Sequence, residues 1–66
     1  MIRIRTKLDN NNLSHVYTVF FNGRWITYSM LNGHKLDTLE TPNLMEAGAT
    51  HLRMSSWVRE ALEDKK

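Results

Sequence analysis

Cysteine does not occur in the 66 residues, which excludes a disulfide framework, a thiolate metal site and a cysteine nucleophile. Proline occurs once and glycine three times, too seldom for a low-complexity or collagen-like chain. No apolar run approaches the ~20 residues that a membrane-spanning helix needs. The start, Met1-Ile2-Arg3-Ile4-Arg5, alternates cation with hydrophobe and lacks the apolar stretch of a secretory signal, so a cytoplasmic protein is expected. The three glycines are scattered, which leaves no phosphate-cradling loop. The histidines, His15, His34 and His51, stand far apart with no i,i+4 or His-x-His spacing, so no metal is expected, and no other cofactor. Ser14-His15 with Asp9 nearby reads as a turn rather than a nucleophile, base and orienter. Glu60, Glu63 and Asp64 read as a solvated helix end. No catalytic residue is assigned, and a non-enzymatic protein is expected.

What is present is an ordinary globular composition, 41% hydrophobic and 24% charged, in a length that allows one domain over residues 1–66. A chain this short buries only about 60% of the surface its unfolded form exposes. Core is therefore scarce, which favours a binding surface over an enzymatic cleft. The formal net charge of +2 conceals an asymmetry. Residues 1–35 hold five cations (Arg3, Arg5, Lys7, Arg24, Lys35) against Asp9, whereas residues 36–66 hold four cations against six acids. One basic and one acidic surface follow.

Asn22-Gly23 is the strongest local signal. Both residues accept the positive φ of a type I′ turn, and both flanks are aromatic and β-branched. The two-residue turn pairs Phe20 with Trp25, Val19 with Ile26, Thr18 with Thr27 and Tyr17 with Tyr28. Strands are expected over about 2–8, 15–21, 24–30 and, after Asn32-Gly33, 34–39. If Leu8 pairs with His15, then Ile4 meets Val19 and Ile2 meets Phe21, and Ile2, Ile4, Leu8, Tyr17, Val19, Phe21, Ile26, Tyr28 and Met30 share the core side. Beyond the second turn a strict register turns Leu36 outward, and one extra turn residue would bring it inward.

Helix signals begin at Thr41-Pro42-Asn43, with Thr41 as N-cap or Asn43 and Glu46 as an alternative capping box. A helix over about 43–63 places Leu44, Ala47, Gly48, His51, Met54, Val58, Ala61 and Leu62 on one face. His51 there reads as a core or boundary residue. Trp57 flanks the stripe with Arg53 stacked on it. The fold class is α+β: a small antiparallel three- to four-stranded meander with one C-terminal helix packed on one face.

By this register the uncovered face carries Arg3, Arg5, Lys7, Thr18, Phe20, Trp25 and Thr27. The first expectation is a nucleic-acid-binding module in which Arg3, Arg5, Lys7, Arg24 and Lys35 contact phosphates while Phe20 and Trp25 stack. The alternative is a protein-binding regulator or inhibitor, of the kind phages encode, that docks on an acidic surface of a larger enzyme or complex with Trp25 as anchor. A homodimer, through an edge strand or the helix face bearing Arg53 and Trp57, is compatible with either. In order of elements alone, over about residues 15–62, the chain resembles the small DNA-binding domains at the N-termini of tyrosine-type phage integrases and in plant AP2 factors. That resemblance implies a sheet face read into a major groove and carries over no residue.

Overall fold

The computed structural model describes residues 2–64. Four antiparallel strands run in sequence order, β1 (Arg3–Lys7), β2 (His15–Phe21), β3 (Arg24–Leu31) and β4 (His34–Thr41), followed by one helix, α1 (Leu44–Glu63). The helix lies on one face, over β2, β3 and β4. The expected α+β meander with one packed C-terminal helix is therefore present. No helix among the described residues is long and apolar enough to cross a membrane.

Both Asn-Gly pairs turn the chain by adopting left-handed φ: 53° and 76° at Asn22 and Gly23, 52° and 82° at Asn32 and Gly33. The β2–β3 register is the expected one, with Tyr17 opposite Tyr28 and Phe20 opposite Trp25. The fourth strand extends to Thr41. Its register shifts between Ser29 and Met30, so Met30 pairs with Lys35 and Ser29 with Asp37. Leu36 is the residue passed over, a bulge that resolves the parity conflict in this strand and leaves Leu36 exposed.

The β1–β2 register differs by one residue from expectation: Ile4 faces Thr18 and Arg5 faces Tyr17. The connection causes the shift. The Asp9 carboxylate accepts from the backbone amides of Asn11 (3.1 Å) and Leu13 (3.0 Å), and Asn12 takes a left-handed φ of 61°. The tightened loop closes with Leu8 N donating to Ser14 O at 2.9 Å, so Leu8 sits against Ser14 rather than His15.

The buried face is also the opposite of the expected one. Val16, Thr18, Thr27 and Ser29 are buried, while Tyr17, Val19, Ile26, Tyr28 and Met30 are only partly covered. The Thr18 and Thr27 hydroxyls enter the core because each finds a partner there. Thr27 Oγ1 donates to Ala47 O at 3.5 Å, and Thr18 and Thr27 hydroxyls lie 2.9 Å apart. His51 bridges Thr18 through Nδ1 and Thr6 through Nε2, both at 2.7 Å. Each hydroxyl has one proton, which orders the chain. Thr27 donates to the carbonyl, Thr18 to Thr27, His51 Nδ1–H to Thr18, and Thr6 to Nε2. A neutral imidazole here is thereby the Nδ1–H tautomer.

Asn43 is the N-cap, its side chain accepting from Met45 N at 2.9 Å and Glu46 N at 3.4 Å. Thr41 ends β4 instead and accepts from Asn43 N at 3.1 Å. The helix buries Ala47, Thr50, His51, Met54, Ser55 and Val58. Leu44 and Gly48 are exposed and lie outside that face, while Thr50 and Ser55 join it. Fully buried apolar residues are few: Val16, Ala47, Met54 and Val58.

Two outcomes follow. Met54→Ala should destabilise by about 2–5 kcal/mol, enough to unfold much of a domain this small, as read by urea denaturation. Burial holds His51 below its ordinary value of 6.5. The unfolded chain therefore takes up a proton that the folded protein refuses. Stability should be level above 6.5 and fall as pH drops through 6.5 towards the lowered folded value. His15 shifts in the same direction. Urea midpoints from about pH 7.5 to 5.5 should decline less steeply in His51→Gln than in the parent.

Candidate ligand-binding face of the sheet

The face away from α1 is built by strand alternation. β1 contributes Arg3, Arg5 and Lys7. β2 contributes His15, Tyr17, Val19 and Phe21, and β3 contributes Arg24, Ile26, Tyr28 and Met30. Lys35, Thr38 and Glu40 come from β4. All five cations assigned from the sequence thus lie on this uncovered face. Glu40 is the one acid that these strands place on this face, 3.9 Å from Arg24 in an exposed ion pair, since Asp37 of β4 lies on the other side opposite Ser29.

Phe20 and Trp25 do not join them. Their rings pair at 4.8 Å between centroids, on the side of the sheet that carries α1. The expected face combined these two aromatics with the β1 cations, and the structure separates the two groups. Two differences, the register shift and the inverted core side, cancel for the cations and leave them outward. For Phe20 and Trp25 only the second applies, so they turn towards the helix layer.

Tyr17 and Tyr28, which the sequence reading placed in the core, stand on the open face. Their centroids are 5.2 Å apart at an interplanar angle of 43°. Arg3 and Arg5 both lie 5.5 Å from the Tyr17 centroid, and Lys35 lies 5.1 Å from that of Tyr28. Across the sheet the order is arginines, tyrosine, tyrosine, lysine, one column per strand. Arg5 also donates to Asn12 Oδ1 at 2.8 Å. The signal for these tyrosines was available: the Asn22-Gly23 turn already set Tyr17 opposite Tyr28, and only the choice of side was at issue.

His15 extends the aromatic row with its ring edge-on to Tyr17 at 4.5 Å. Burial, with the Arg5 charge beside it, pushes its pKa below the ordinary value. Its Nδ1 is, among the described residues, the buried side-chain nitrogen left without a hydrogen-bond partner. Ser14 is fully buried with its hydroxyl accepting from Asn32 N at 3.2 Å, a structural tie between loops. On α1, Arg53 lies 5.8 Å from the Trp57 ring centroid, a stacked pair at the surface. A shallow depression between the β1–β2 connection and the last turns of α1 is lined by Leu8, Asp9, Asn10, Arg59, Leu62 and Glu63. Its charges are mixed and converge on no point. Compared with protein-family models, curated proteins and solved structures, the chain matches none, so its functional reading rests on this geometry.

Because Phe20 and Trp25 belong to the covered side, Trp25→Ala should act on folding rather than on the open face. We expect a loss of about 2 kcal/mol by urea denaturation. Tyr28→Phe should be near-neutral by the same measure.

Proposed function

We propose that this protein is a non-enzymatic module that binds nucleic acid through the open face of its sheet. The observation that carries the reading is the gathering of Arg3, Arg5, Lys7, Arg24 and Lys35 on one uncovered face with a single strand acid, Glu40. A chain with a net charge of only +2 concentrates its cations where no helix covers them. Such a face raises the local concentration of a polyanion and contacts successive phosphates. The aromatic centre, Tyr17 and Tyr28, supplies contact area that phosphate pairing alone does not use.

A second reading, a regulator that docks on a protein, draws on a different surface. Met45, Leu52 and Trp57 project from the outer side of α1 with 84%, 73% and 50% of their surface exposed. Affinity purification from lysate, with and without nuclease, separates the two readings. Nuclease-sensitive capture lost on replacing β1 arginines supports the first. A nuclease-resistant protein partner lost on Leu52→Lys supports the second.

Binding to a short duplex should weaken with added salt at a log–log slope of about 0.9 per phosphate neutralised. Arg3→Ala with Arg5→Ala should lower affinity and reduce that slope by up to about 2, as read by fluorescence anisotropy. A slope unchanged by this pair, or no micromolar binding to either a duplex or a single strand at about 50 mM salt, contradicts the proposal.

A further inference from the structure

The geometry points to a single strand, rather than a duplex, as the ligand of the open face, with bases stacking on Tyr17 and Tyr28 between flanking phosphate contacts. This rests on the reading of that face as a nucleic-acid surface and specifies the form of nucleic acid it takes.

Three observations carry it. The first is the arrangement of chemistry across the sheet. The centre holds Tyr17, Val19, Ile26 and Tyr28, and cations flank it: Arg3 and Arg5 on β1, Lys35 on β4, and Arg24 at the turn end of β3, where it is ion-paired with Glu40. Reading a duplex groove requires guanidinium, ammonium or amide groups at the centre of the approach, where they meet base edges. Val19 and Ile26 offer base edges no polar group, and each tyrosine offers a single hydroxyl at its tip rather than a two-pronged donor. The rings do match the π-faces of unstacked bases, which a duplex keeps hidden.

The second is width. Three strand spacings of about 4.8 Å put β1 and β4 about 14 Å apart. A major groove about 12 Å wide admits a helix or a two-stranded ribbon, not four strands lying flat. A single strand laid across the sheet meets no such limit. It passes a cation, two aromatic columns and a second cation in turn.

The third is the resting state of the cations. Arg3 and Arg5 lie over Tyr17, and Lys35 lies over Tyr28. A phosphate is a stronger partner than an aromatic ring for an exposed guanidinium. When a strand arrives, the arginines move from the ring to the backbone, and the ring face they leave is the one a base takes. Cation and stacking platform are released in the same step.

The test uses the intact chain and three labelled DNA probes of about 12 nucleotides: a mixed-sequence single strand, its duplex, and a strand of equal length whose central residues are abasic. The abasic strand keeps every phosphate and loses the stacking faces. At about 50 mM salt the ordinary strand should bind roughly tenfold or more tightly than either of the others. Tyr28→Leu should weaken the ordinary strand by about tenfold and leave the abasic strand unchanged, which also shows that the variant is folded. Tyr28→Phe should retain strand binding. If the duplex or the abasic strand binds as tightly as the ordinary strand, the single-strand inference is overturned and the polyanion reading stands. If none of the three binds, both fail.

Discussion

The structure depends on the hydrogen-bonded run from Thr6 through His51, Thr18 and Thr27 to the Ala47 carbonyl. A hydroxyl taken into a core without a partner costs about 1–3 kcal/mol by mutational measures. Two threonines facing one another across β2 and β3 therefore belong in the core only if something there satisfies them. His51 does so with one nitrogen and uses the other to hold β1, the strand that α1 does not overlie. This arrangement decides which side of the sheet is inside. With Val16, Thr18, Thr27 and Ser29 inward, alternation sends Tyr17, Val19, Ile26 and Tyr28 outward, and the shifted register sends the β1 cations with them.

Such an interface is economical in apolar residues and demanding in geometry. Among the described residues only Val16, Ala47, Met54 and Val58 are fully buried hydrophobes, while Ser14, Thr18, Thr27, Ser29, Thr41, Thr50, His51 and Ser55 are buried polar residues. Hydroxyls constrain direction as well as distance, so the helix is fixed in rotation about its axis. Ser55 donates to His51 O at 2.8 Å, which satisfies its hydroxyl within the helix itself. Packing of this kind specifies one arrangement while leaving larger apolar side chains for the surface. The exposure of Phe21, Leu52 and Met45 is the counterpart of a core built from threonine and serine.

Much of the fold was legible because turn chemistry is local. Asn22-Gly23 determined the β2–β3 pairing, and Asn32-Gly33 the return into β4. The side of the core was not legible by hydrophobicity alone. Tyr17, Val19, Phe21, Ile26 and Tyr28 look more apolar than Val16, Thr18, Phe20, Trp25 and Thr27, and the satisfied hydroxyls reverse that order. His51 on the helix stripe was the available hint, since an imidazole there needs partners for both nitrogens and threonines could supply them. The β1 register depended on the Asp9 cap and the left-handed Asn12, which together remove one residue from the connection. Of the candidate face, the outward placement of the cations was legible and the aromatics were exchanged: Tyr17 and Tyr28 stand where Phe20 and Trp25 were expected.

The same cations also bear on how copies of the chain meet. β1 and β4 are the sheet edges, and an unpaired edge invites pairing with a second molecule. Antiparallel pairing of two β1 strands would bring Arg3, Arg5 and Lys7 of each copy beside those of the other, like charges on adjacent strands. A counter-charge that neutralised both rows would reduce that repulsion. Like charge along β1 therefore opposes pairing through that edge.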